Sequence, residues 1–209
     1  MHIIRSCLAA IRSNFRLYVG LNAAYYLGML IASIFVAYHP FLQQQLLANL
    51  KANLAHGFLS HVARAYQSGN MVAAALETFL VNSILGAFAW ITLPSFLIPY
   101  SGVATGFYRA VMWGLTLAPT NRTLSLMMIP HSLCLLLEGQ GYILAMFGSC
   151  LWGKWLIHPS RAGFSSAREA YLAGAAVNFR LYAVILPVLA IAAVYEAAEA
   201  IAVKALLGR

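Results

Sequence analysis

The stretch Leu17–Tyr38, LYVGLNAAYYLGMLIASIFVAY, contains no Asp, Glu, Lys or Arg. A helix crossing the hydrocarbon core of a bilayer, roughly 30 Å thick, needs about 20 mostly apolar residues at about 1.5 Å of rise each. Leu17–Tyr38 meets that demand. Residues 71–93, 95–117 and 181–203 read the same way, and residues 124–157 form a still longer apolar run. The composition agrees: 62% of the 209 residues are hydrophobic and 9% charged, against roughly 25% charged in soluble domains. A water-facing surface cannot be built from five acidic side chains. The expected fold is an all-α, polytopic membrane helix bundle of about five spans, forming one domain over residues 1–209.

Outside the spans, two segments keep helical spacing. In residues 1–16, Ile4, Leu8, Ile11 and Phe15 share one face while Arg5, Arg12 and Arg16 share another. That pattern predicts an N-terminal amphipathic helix lying at the interface, not a signal peptide. Residues 40–70 carry Gln43, Gln44, Gln45, Asn49, Lys51, Asn53, His56, His61, Arg64 and Gln67 between regularly spaced leucines. They predict one extramembrane amphipathic helix, with His39, His56 and His61 as surface histidines. Residues 124–157 are too long for a single span. Pro130 and Gly139-Gln140-Gly141 leave a kink, a re-entrant segment or two half-helices open.

The net charge of +8 does not indicate nucleic acid, because the cations lie beside apolar spans, where anionic headgroups attract them. With the N-terminus in the cytoplasm, Arg5, Arg12, Arg16, Lys154, Arg161, Arg168 and Arg180 fall inside, and Lys51, Arg64, Arg122, Lys204 and Arg209 outside. The positive-inside rule therefore favours a multi-pass protein of the cytoplasmic (inner) membrane with its N-terminus inside. Cys7, Cys134 and Cys150 form no C-x-x-C pair and read as small buried residues.

Ionisable and polar side chains within spans mark candidate sites, since burying them in hydrocarbon is costly. Glu77, Asn82, Arg109, His131, Glu138 and Glu196 form the expected intramembrane polar network. Glu77 and Arg109, on neighbouring spans, are expected to pair. A role in moving ions or substrate, or snorkelling to the interface, stays open for them. His131 and Glu138, two turns apart, share a helix face, and Glu196 and Glu199 follow each other at i, i+3. No H-E-x-x-H, C-x-x-C or paired-His spacing is present, so no metal or cofactor is assigned. The absence of Asp and of a G-x-S-x-G elbow argues against a hydrolase. Gly102 and Gly106, at i, i+4, read as a close helix-packing face.

Four segments in order resemble the stage II sporulation protein M family of integral membrane proteins. They are Asn82-Ser83-Ile84-Leu85-Gly86-Ala87-Phe88, Tyr100-Ser101-Gly102-Val103-Ala104-Thr105-Gly106, Ile129-Pro130-His131 with Glu138 downstream, and Ala193-Val194-Tyr195-Glu196-Ala197. The resemblance covers about residues 70–203. Ser101 stands where the family carries Asn, Ser132 where it carries Gly, and Glu138 follows His131 by seven residues instead of four. The resemblance implies a non-enzymatic scaffold or assembly component for cell-envelope remodelling. Its partners would be the lipid bilayer and other membrane or envelope proteins, such as a wall hydrolase or an ATPase subunit, with homo-oligomerisation open. The alternative it leaves is a membrane subunit of an exporter acting with a partner ATPase.

Overall fold

The computed structural model describes residues 2–207, and every regular element among them is helical. The elements are α1 (His2–Ser13), α2 (Phe15–Ala37), α3 (Pro40–His56), α4 (Ser60–Gln67), α5 (Met71–Ser95), α6 (Ser101–Leu117), α7 (Arg122–Ile157) and α8 (Ala167–Leu207). A 3₁₀ turn, Ser160–Ala162, lies between α7 and α8. Helices answer the sequence because an apolar chain in lipid must satisfy its backbone N–H and C=O groups internally. Four of them, α2, α5, α7 and α8, are long and apolar enough to cross a membrane. The fifth expected span is α6, whose 17 residues reach about 26 Å, the short end of the range for a crossing.

The long helix α7 is the axis of the bundle. In its most apolar segment 72% of residues are buried, against 28–33% in α2, α5 and α8. A helix that is apolar all round belongs inside, and α2, α5, α6 and α8 pack around this one. Lipid-facing sides are left on α2, with Leu27, Leu30, Ile31 and Ile34, and on α8, with Phe179, Leu186, Ile191 and Val194. Close approach is set by a ridge of small residues on α6: Gly102, Gly106, Ala110 and Gly114, all buried. A Cβ at Gly102 would collide with the Ile91 carbonyl of α5, and one at Gly114 with the Met29 carbonyl of α2. The packing face read from Gly102 and Gly106 is thus real and twice as long as expected.

The two ends of the bundle differ. At one, α1 docks on α8, where the buried Cys7 Sγ donates to the Arg180 carbonyl at 3.2 Å. Burial pushes the Cys7 thiol above its ordinary range, with Arg180 opposing. Phe96, just beyond α5, packs edge-to-face on Trp152 of α7 at the same end, and Tyr171 donates to the Phe96 carbonyl. At the other end α3 is clasped to α6 by Gln43, whose amide donates to the Thr116 and Ala118 carbonyls while its oxygen accepts from Thr120. Here too Tyr66 of α4 bonds Thr78 of α5 at 2.9 Å. Consecutive long helices therefore run in alternating directions.

Several boundaries move. The interfacial helix stops at Ser13, because the chain turns at Asn14 and Phe15 already opens α2. Residues 40–70 make two helices, not one, because the chain turns extended at Gly57. The third span begins at Ser101, after a turn in which Tyr100 adopts a left-handed φ of 65°. Residues 124–157 are one unbroken helix through Pro130, Gly139 and Gly141; Pro130 removes a donor from the ladder, and its own carbonyl accepts from the Tyr195 hydroxyl of α8 at 2.9 Å. Finally α8 starts well before Leu181, with a capping arrangement at its head: Ser165 donates to Glu169, and the Glu169 N–H donates to Ser166. Arg209 lies outside the described residues.

One local feature positions the interior. Residues Val81–Thr92 of α5 are wound as a π-helix. Its buried residues fall at 82–83, 86–87 and 91–92, steps of four to five instead of the three to four of an α-helix. Wider winding thus keeps Asn82, Gly86 and Ile91 on one side, all facing α6 and α7.

Candidate functional site

Polar residues on α7 recur as His131, Cys134, Glu138 and Tyr142, at i, i+3, i+7 and i+11, one stripe along a single helix face. Each meets a partner from a different helix. The Asn82 amide of α5 donates to Glu138 Oε1. Arg109 of α6 donates to the Tyr142 hydroxyl at 2.8 Å and to Asn82 Oδ1 at 3.4 Å. Its guanidinium also lies over the rings of Tyr142, 4.3 Å from the centroid, and Trp113, 4.9 Å. Contact with two ring faces suits the planar, weakly hydrated guanidinium and keeps its charge inside an apolar bundle. Nearer the capped end, Cys134 Sγ donates to Glu196 Oε2 of α8 at 3.9 Å, and His131 Nδ1 lies 2.5 Å from Glu199 Oε1.

A second stripe faces the opposite way. Gln140 of α7 donates to Asn22 Oδ1 at 2.7 Å and to Tyr26 at 3.0 Å, and accepts from Tyr18 at 2.6 Å. Tyr18, Asn22 and Tyr26 succeed each other at i, i+4, i+8 on α2. The two stripes wire α7 to every other long helix.

Five of the six expected site residues meet in the first network: Asn82, Arg109 and Glu138 at its centre, Glu196 and His131 at its capped end. Glu138 is 4% exposed and Asn82 6%. Glu77 does not belong. Its carboxylate meets His61 Nε2 of α4 at 3.3 Å, with both side chains about one-third exposed. The expected Glu77–Arg109 pair is therefore corrected on both sides. Glu77 lies in the second turn of α5, near the capped end, where the α4 histidine reaches it, while Arg109 sits half-way along α6. His61 is accordingly no free surface histidine.

Cys134, Tyr142 and Gln140 were outside the expected set. Their signal was present as i, i+3, i+4 continuation from His131 and Glu138, and from Gln140 to the α2 stripe, but a Cys, a Tyr and a Gln in apolar surroundings each read singly as packing. Some groups stay without a protein partner: Tyr25 Oη, Arg109 Nε, Glu199 Oε2, Trp152 Nε1 and both amide atoms of Asn178 are buried and unpaired.

An all-α bundle of apolar helices with its polar groups paired inside is a multi-pass membrane protein. Comparison with protein-family models, with curated proteins and with solved structures gives no match.

Proposed function

We propose that this protein is a non-enzymatic scaffold or assembly component of the cell envelope, seated in the cytoplasmic membrane with its N-terminus inside. The observation that carries this reading is the reciprocal pairing of interior polar groups across α2, α5, α6, α7 and α8. Such pairing fixes one helix arrangement, as a hub that holds partners in register requires. The resemblance to the stage II sporulation protein M family supports the same role. The cap of α3 and α4 supplies a polar exterior surface, with Gln44, Asn53 and Arg64 exposed. Orientation is supported by the gathering of Arg5, Arg12, Arg16, Lys154, Arg161, Arg168 and Arg180 at the α1 end. Partners of this reading are other envelope proteins, a wall hydrolase first among them.

A photo-crosslinking residue at Gln44, Asn53 or Arg64, introduced in the native host, should trap a defined envelope protein, while one at lipid-facing Leu186 should not. Deletion should disturb envelope shape or division. The exporter reading, with a partner ATPase, draws on half-buried Glu196, a carboxylate within the hydrocarbon zone. Purified protein in vesicles separates the two. Proton or solute flux that Glu196→Gln abolishes, together with an undisturbed envelope in the deletion strain, would replace the scaffold by the exporter.

A further inference from the structure

Cys134, Glu138 and Glu196 each offer one ligand atom, and all three atoms lie within 4.8 Å of one another. Cys134 and Glu138 are one turn apart on α7, and Glu196 comes from α8. That spread is wider than one ion bonding at roughly 2.0–2.3 Å to carboxylate and thiolate bridges. A small inward shift of three side chains closes it. The surroundings lack positive charge. Glu138 and Glu196 cluster with Cys134, Glu199 follows Glu196 by one turn, and the guanidinium that shares Asn82 with Glu138, Arg109, is held by Tyr142 and Asn82. The carboxyl groups outnumber that one fixed cation inside a bundle where unpaired charge is costly.

Two further observations fit a bound cation. Glu199, one turn beyond Glu196, keeps Oε2 buried with no hydrogen-bond partner, and its side chain is only 9% exposed. His131 holds its other oxygen at 2.5 Å, and the Asn82 amide orients Glu138; such outer partners fix ligand geometry in metal sites. A cleft of about 330 Å³ opens between α4 and α8, lined by Ala63, Tyr66, Gln67, Ala200 and Ile201. It offers an approach from the capped end, with Tyr66 at its edge, and Glu196 lies one turn along α8 from Ala200.

We propose that Cys134, Glu138 and Glu196 bind one divalent transition-metal ion of the zinc class, bracing α7 against α8. One thiolate and two carboxylates form a mixed donor set suited to zinc, with a fourth position left for water or Glu199. The dication offsets the negative charge of the thiolate and carboxylates that hold it. Binding releases the thiol proton to solvent, with no redox change. The site goes beyond the scaffold reading and does not depend on it.

The test uses untagged full-length protein, purified in detergent from zinc-supplemented cells and passed through metal-free buffer. Elemental analysis should find about one zinc per chain. Cobalt added to stripped protein should give a near-ultraviolet thiolate-to-cobalt band, absent in Cys134→Ser. Glu138→Gln and Glu196→Gln should each lower retained zinc at least tenfold in monodisperse protein. The cobalt spectrum of the unmutated chain decides the matter even if those variants fail to fold. Metal-free protein with no thiolate band overturns the proposal, as does zinc that survives both Cys134→Ser and Glu196→Gln. A carboxylic-acid C=O infrared band in such metal-free protein, lost in Glu138→Gln, would show that a proton fills the cluster instead.

Discussion

Arg109 gives up the nearest acidic residue of the preceding span and lies against the rings of Trp113 and Tyr142 while bonding Asn82 and Tyr142. Glu77 is left to His61. Double-mutant cycles should therefore show additive losses for Glu77→Gln with Arg109→Gln, and coupling for Glu77→Gln with His61→Ala. The latter should be about 0.2–1 kcal/mol, because both side chains are partly exposed. The Asn82–Glu138 pair should couple by about 0.6 and at most about 1.7 kcal/mol, the range found for hydrogen bonds between membrane helices. Coupling between residues 77 and 109 would refute the arrangement. Glycines offer a cleaner contrast. Gly102 faces a backbone carbonyl, which cannot step aside, whereas Gly20 has open space around its missing Cβ. Gly102→Ala should destabilise the bundle by about 1–3 kcal/mol through overpacking, and Gly20→Ala should be neutral or slightly favourable. Thermal unfolding in detergent measures both. The sequence showed which residues are polar inside spans, and five of the six meet. It could not show which partner each takes, since that depends on depth and rotation of whole helices.

At the scale of elements, the spans were legible because hydrocarbon imposes one length and one composition on them. What departed was decided by packing. Pro130, Gly139 and Gly141 looked like a break in α7, yet those glycines receive Tyr26 and Leu189 side chains from neighbouring helices and the ladder continues. The π-winding of α5 left no mark that periodicity detects, since its buried residues Asn82, Ser83, Gly86 and Ala87 also fit an ordinary helix until Ile91 and Thr92 follow them. Cysteine scanning across 81–92 tests it. Ile84 and Trp90 are 53% and 49% exposed, so cysteines there should react with a lipid-soluble maleimide. Ala87→Cys and Ile91→Cys should be protected. Reaction at 91 with protection at 90 would mean α-helical winding and a differently turned Asn82.

Across the whole molecule, alternating helix directions put residues 2–16, 96–100 and 158–166 at one end and residues 38–70 and 118–121 at the other. The first end carries seven cations, Arg5, Arg12, Arg16, Lys154, Arg161, Arg168 and Arg180, and the second four among the described residues, Lys51, Arg64, Arg122 and, near the tip of α8, Lys204. Each Lys or Arg near an anionic leaflet is worth about 1 kcal/mol, so the difference favours the orientation proposed above, with the first end on the cytoplasmic side. A membrane-impermeant maleimide applied to spheroplasts should therefore label Asn53→Cys and Thr120→Cys directly, and Ser165→Cys only after permeabilisation. Native thiols set a low background, as Cys7 and Cys134 are buried and Cys150 lies within α7. Labelling of Ser165→Cys alone would invert the orientation while keeping five crossings. Labelling of Thr120→Cys and Ser165→Cys from the same side would mean that α7, for all its 36 residues, does not cross. The network it carries would then lie at an interface instead of in hydrocarbon, and the electrostatic case for a cation beside Glu138 and Glu196 would lose its main term.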